Sequence, residues 1–227
     1  MNQPSRFTRL LERGDALTGP LSVYILPYES HETSFRYLAA EKNQWSYWFC
    51  NKLVNGVDGV EIENNPGECV LIGGQDEAEK VGDKAKAEFR QETGLSLDSI
   101  VMNITDDESV IYEKYQNNKE QFIIVFVRVP DLDGLAFLIN QILNECHNVI
   151  ATLKTPSILT DDISFPVEDN ELKSVACYSA DMDPFSSNGD WFSLAIERLR
   201  DLSHQQISIC DTNEVTEDIN TSLLSPL

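Results

Sequence analysis

GGQDEAEKVGDKAKAEFRQETGL, residues 73–95, is the stretch on which the fold of this chain turns. It passes from a glycine pair through an amphipathic run rich in helix formers to a second glycine stop. Asp83 can cap a helix built on Lys84, Ala85, Lys86, Ala87, Glu88, Phe89, Arg90, Gln91 and Glu92, and Gly94 stands where a left-handed C-terminal residue is wanted. The helix is therefore predicted to end at about Thr93. Val81, Ala85 and Phe89 recur at four-residue spacing and form its buried stripe, while Glu88, Gln91 and Glu92 share an adjacent face. Two carboxylates one turn apart cost an isolated helix roughly 0.2–0.5 kcal/mol, so the pair calls for a cation or basic neighbours. Lys84, one turn before Glu88, is the plain compensator.

Gly73, Glu79, Glu88, Phe89, Glu92, Gly94 and Leu95 also stand in the register of a long pattern. It is glycine, five free positions, glutamate, seven free positions, then Arg-Glu-hydrophobic-any-Glu-Glu-any-Gly-hydrophobic. The stretch resembles the Nudix box. Two positions depart from it: Ala87 replaces the arginine, and Gln91 replaces the first glutamate of the closing pair. Leu71 and Ile72 precede Gly73 where many members of the family have proline and glycine. The resemblance covers about a tenth of the chain and implies an α/β (α+β) fold, a Nudix-like mixed β-sheet sandwiched between helices, with an extra inserted helix in this case.

It also implies a Mg²⁺ (or Mn²⁺) site and hydrolysis of the pyrophosphate in a nucleoside diphosphate linked to another moiety. Glu88 and Glu92 would be ligands, the Gly73 carbonyl would assist, Gln91 would offer a neutral amide oxygen, and Glu79 would belong to the surrounding network. Such chemistry suits oxygen donors, because Mg²⁺ is held through a few carboxylates plus water and substrate oxygens. An amide in place of a carboxylate weakens the pull on a divalent ion and cannot act as a base. Ala87 removes the guanidinium expected to orient the neighbouring glutamates. Family members commonly take one more acidic residue from beyond the box. The candidates are Glu113, Glu120, Glu168 and Asp169, with Glu168 the first choice as a catalytic partner. Tyr37, Trp45, Tyr47 and Trp48 could stack on a base, with core packing the favoured role for Trp45 and Trp48.

The rest of the composition bounds these expectations. A chain of 227 residues with 41% apolar content can bury a sizeable core. A formal net charge of −21 argues against general nucleic-acid binding, although a small phosphorylated substrate such as a nucleotide derivative is compatible with a local cation. No apolar run reaches membrane-spanning length and no classical signal peptide is evident, which points to a cytoplasmic protein, or to one delivered as a secreted effector. Five cysteines without a CxxC pair suit reduced thiols.

Along the chain, residues 1–20 are expected to form a leading arm, 21–207 a Nudix-like domain with an insertion at about 131–170, and 208–227 an acidic flexible tail. Strands are predicted at Leu21–Pro27, Phe35–Lys42, Trp45–Leu53, Val70–Ile72, Ser99–Ile104, Ser109–Tyr115, Gln121–Val129 and Glu171–Ser179. Asn55–Glu68 is expected to be a loop or hairpin and 151–170 a loop. Asp133–His147 carries one apolar stripe and predicts an amphipathic helix, which offers a homodimer an interface or the core a cover. A final helix is expected at Asp190–Ser203, on the face of the sheet opposite the box helix.

Two functional classes remain open on these residues. One is a metal-dependent hydrolase acting through Glu88 and Glu92. The other is a catalytically impaired Nudix-fold protein that binds a nucleotide-type ligand or a protein partner.

Overall fold

The computed structural model describes residues 21–31, 34–63, 65–75, 81–100, 110–116, 121–154, 163–185 and 192–201. The expected arm, the tail, Glu79 and Glu120 lie outside the described residues, as does the side chain of Glu113.

A mixed sheet organises these residues. Its path starts at β11 (Leu172–Ser179) and continues through β2 (Phe35–Lys42), β1 (Leu21–Ser30) and β10 (Gln121–Arg128) to β9 (Val110–Gln116). β1 and β10 run parallel and the other pairs antiparallel. Residues 122–127 of β10 are buried without a break, as expected of a strand covered on both faces.

The sheet forks between β1 and β2. The two strands pair only over Tyr28–Ser30 and Phe35–Tyr37, and then diverge. β8 (Ile72–Gln75) pairs with the first half of β1, and β7 (Cys69–Val70) with the last residues of β2, so the two short strands fill the wedge. The glycine pair of the opening stretch therefore lies inside the sheet.

Register sorts the side chains onto two faces. Tyr28, Tyr37 and Tyr178 are aligned across β1, β2 and β11; Tyr37 stacks on Tyr178 and on Phe185, and Phe185 meets Phe192. The helix over residues 192–201 covers this aromatic face, with Phe192, Ala195, Ile196 and Leu199 buried. The opposite face takes two helices, α1 (Val81–Thr93) and α3 (Leu132–Leu153), with the short α2 (Leu97–Ile100) between them in sequence. α3 anchors on the edge strand: the Asn140 side chain donates to the Val175 carbonyl and accepts from its amide, both at 2.9 Å. The box helix and the final helix thus stand on opposite faces, as expected.

Four sequence expectations are corrected. Trp45–Leu53 is not one strand, because Cys50 and Asn51 adopt positive φ and fold β4 (Trp48–Phe49) back on β5 (Lys52–Leu53). β3 (Trp45–Ser46) pairs instead with β6 (Val60–Glu61), which gives the Asn55–Glu68 segment a hairpin partner. Leu97–Ile100 is a helical turn rather than the start of a strand, with the Ser99 amide and hydroxyl both donating to the Ser96 carbonyl. The inserted helix is longer than its apolar stripe suggested; Asp131 caps it by accepting from the Gly134 amide at 2.8 Å, and it runs on to Leu153. Finally, Trp45 is 45% exposed, whereas Trp48 is fully buried and donates to the Val167 carbonyl at 2.9 Å.

Candidate active site

The box helix ends where its chemistry requires. Gly94 takes φ +73° and donates to the Arg90 carbonyl at 2.9 Å, closing the last turn in the left-handed conformation. The helix begins at Val81, so Asp83 sits within the first turn rather than before it, where its charge still complements the N-terminal dipole. Ala85 and Phe89 are buried as expected.

Glu88 and Glu92 are also buried, at 7% and 5% exposure, and this decides the character of the site. Their face of α1 is laid against β8. Glu92 accepts a hydrogen bond from the Gly73 amide at 2.9 Å. Glu88 lies over Gly74, where an added Cβ would stand 3.0 Å from a carboxylate oxygen. Gly73 has φ +134°, and a Cβ there would meet the Val23 carbonyl oxygen at 2.2 Å. Gly73 is therefore required for the approach of β8 to β1, and Gly74 leaves a close fit for the Glu88 carboxylate. The sequence led to an expected role for the Gly73 carbonyl; the contact to the box helix is made by its amide.

Burial pushes the Glu92 carboxyl well above its ordinary range, and the nearby negative charge of Glu171 adds to the effect. Lys42 and the Gly73 amide pull the other way, while Glu88 raises it a little further. Lys42 and Glu171 were not among the residues picked out from the sequence. They come from the last residue of β2 and the residue before β11, and they form an ion pair at 2.8 Å, with side chains 15% and 29% exposed. Asn43 fixes that end of the sheet: its amide donates to the Glu171 carbonyl at 2.7 Å and its side chain donates to the Leu172 carbonyl at 2.9 Å. No sequence motif marks Lys42 or Glu171, since they are 129 positions apart and meet only through the pairing of β2 with β11.

The remaining candidates fall elsewhere. Glu168 accepts from Arg90 on the outer side of the box helix at 2.8 Å. Asp169 is buried and accepts from the Cys50 amide at 2.6 Å, while its own amide donates to the Gln91 carbonyl at 3.1 Å. Both tie the 163–170 segment to its neighbours. Gln91 is half-buried. Tyr37 belongs to the aromatic core, and Tyr47 is buried under Lys154, whose ammonium lies 5.0 Å from the ring centroid.

Among the described residues no group of three or more His, Cys, Asp or Glu side chains is arranged to hold a metal. Glu88 and Glu92 nevertheless suit Mg²⁺ in kind and number, because that ion is commonly held by one or two carboxylates and keeps several waters. Two buried carboxylates form a surrounding that an added cation would relieve.

No protein-family model matches the chain, and no curated protein matches it. Among solved structures it is similar to a MutT protein from Methanosarcina mazei Go1, at 15% identity over 48% of this chain and 62% of that one, with a TM-score of 0.26. It is similar also to an Ap4A hydrolase from C. elegans solved as a binary complex, at 11% identity over 50% of this chain and 69% of that one, with a TM-score of 0.28. The match thus spans less than two thirds of the archaeal protein. The mixed α+β architecture is that of the strands and helices described above. Among the described residues no helix is long and apolar enough to cross a membrane.

Proposed function

We propose that this protein is a metal-dependent hydrolase that cleaves the pyrophosphate of a small nucleotide derivative. The observation that carries the reading is the convergence of the buried Glu88 and Glu92 carboxylates on the Gly73–Gly74 backbone. The resemblance of residues 73–95 to the Nudix box supports it from the sequence side.

Glu88 and Glu92 would hold Mg²⁺ or Mn²⁺, which when bound neutralises phosphate oxygens and makes water a better nucleophile. In the reaction a water oxygen bonds to one phosphorus, the bridging P–O bond breaks with its electron pair leaving on the second phosphate, and the water proton passes to a base. The chain's own part is to hold the carboxylates dry and fixed. Gly73 orients Glu92 through its amide, and Gly74 leaves room for Glu88. Glu171 is better placed than Glu168 to be the further acid, because its charge is felt at Glu92 whereas Glu168 is turned to Arg90.

A second reading has its own observation. Ala87 and Gln91 put no guanidinium directly before Glu88 and no carboxylate directly before Glu92, which favours a protein that binds a nucleotide-type ligand or a partner with little turnover.

Purified protein incubated with Mg²⁺ or Mn²⁺ and a panel of nucleotide sugars, ADP-ribose, dinucleoside polyphosphates and nucleoside triphosphates separates the two. The hydrolase reading expects turnover of at least one compound, lost in Glu92→Gln by about 10²-fold or more, as for removal of a group that acts in the transition state. Binding by calorimetry with no turnover of any compound would establish the second reading instead. Restoring Ala87→Arg with Gln91→Glu is expected to raise turnover.

A further inference from the structure

α3 carries two stripes, and the core takes one of them. Leu135, Ile139, Leu143 and Cys146 are buried. The second stripe, Phe137, Gln141, Asn144, Asn148 and Ala151, is exposed along its whole length. Its members follow one another at alternating spacings of four and three residues, the seam spacing of paired helices, and they span about 21 Å at the helical rise.

That outer stripe holds no charge. Among the described residues of α3, nine from Phe137 to Thr152 are exposed and only Glu145, on the flank, is charged. On α1 the exposed residues are Asp83, Lys86 and Arg90, and every one is charged. Phe137 is 62% exposed and its neighbour Leu138 49%, so the uncharged face also presents its apolar side chains to water. A chain of net charge −21 repels its own copy wherever charged surfaces would meet. The outer face of α3 is where that repulsion is least.

We propose that α3 pairs with α3 of a second copy of this chain, antiparallel about a two-fold axis at Asn144, to form a homodimer. The stripe is complementary to itself in that arrangement. Phe137 of one copy falls opposite Ala151 of the other, a large side chain over a small one, while Gln141 falls opposite Asn148 and Asn144 opposite its own copy. A carboxamide both donates and accepts, so amides can pair with amides across the axis where like charges could not. A parallel pair would instead set Phe137 on Phe137 and Ala151 on Ala151, crowding one end of the seam and leaving the other open. The dimer is independent of the hydrolase reading.

Sedimentation equilibrium of the full chain between about 1 and 200 μM reads the association, with a dissociation constant on the order of 10 μM expected for a short seam. Raising NaCl from about 0.05 M to about 0.5 M should tighten the dimer, because the charges that remain on the two copies repel each other. Phe137→Glu should weaken it by about tenfold or more, since it removes the apolar anchor at both ends and brings charge into the seam. Asn144→Asp, which sets two like charges on the axis, should weaken it by about fivefold or more. Adding Ala151→Lys to Phe137→Glu should restore most of the lost affinity, because the new base and the new acid lie about 21 Å apart within one chain and face each other only across an antiparallel seam. A chain that stays monomeric throughout, a dimer that neither single variant weakens, or a dimer that salt loosens would overturn the proposal. Weakening without recovery in the double variant would overturn the antiparallel arrangement. Far-ultraviolet circular dichroism and Tm report folding of each variant; if Phe137→Glu does not fold, Asn144→Asp and the salt dependence decide.

Discussion

The two ends of β2 hold two ion clusters, each of one basic side chain and two carboxylates, that differ in character. At its start, Arg36 bridges Glu29 on β1 and Asp133 in the first turn of α3. At its end, Lys42 meets Glu171 beside the buried Glu92. Both clusters sit on the face of the sheet that carries α1 and α3. Arg36 is a third exposed and serves the half-buried Glu29 and the exposed Asp133, and its guanidinium holds Asp133 below the usual carboxylate range. Lys42 pairs with Glu171, and the buried Glu92 is displaced in the other direction, chiefly by burial. The difference lies in solvent rather than in charge count. An ion pair to an exposed carboxylate such as Asp133 ties elements together and is screened, whereas a buried carboxylate such as Glu92 is costly to keep charged and responds to a positive charge that enters.

The comparison breaks most severely at the glycine that makes burial possible. Gly73→Ala should cost about 3 kcal/mol or more in chemical denaturation, since its φ disfavours a side chain and its Cβ would collide with the β1 backbone. A loss below about 1 kcal/mol would mean that β8 can move off β1 and that Glu92 is not held as described.

Next in size is a divergence in pH dependence. The folded-state pKa of Glu92 is raised, so its contribution to stability is full below the ordinary carboxylate range and is lost as pH rises through the folded value. Asp133 is lowered, so its contribution is present above the ordinary range and is lost as pH falls through the folded value. Denaturation midpoints between pH 3 and pH 8 should therefore change slope in opposite senses for Glu92→Gln and Asp133→Asn relative to the parent chain. Matching changes of slope would abolish the distinction between the clusters.

The smallest effect belongs to the other face of the same strand pair. Lys173 meets Glu41 at 2.7 Å with both side chains well exposed, and Lys173→Ala should cost about 0.5 kcal/mol or less. A larger loss would show that exposure alone does not set the value of these ion pairs.

Much of the helical and strand content was legible in the chain. The end of α1 at Thr93, its buried Ala85 and Phe89, the placing of Glu88 and Glu92 together, and β2 at Phe35–Lys42 all follow from spacing and capping. The misreadings have local physical causes. Trp45–Leu53 looks continuous because its aromatics suit a strand, yet Cys50 and Asn51 can take positive φ when a short hairpin demands it. Ser96 and Ser99 can close a helical turn where alternation alone suggested a strand. Glu168 attracted notice for lying beyond the box, although its position beside Arg90 depends on how the 163–170 segment crosses the helix.

The sequence by itself determined the box helix, its carboxylate face and its glycine stops, because helix periodicity and backbone conformation are properties of neighbouring residues. Only the tertiary structure decided that those carboxylates would be buried and which lysine would answer them. That outcome depends on a forked sheet that places Gly73 under Glu92, and on a strand pairing that brings Lys42 to Glu171 across 129 positions. Burial and long-range pairing are set by packing between elements, so no local pattern in the chain encodes them.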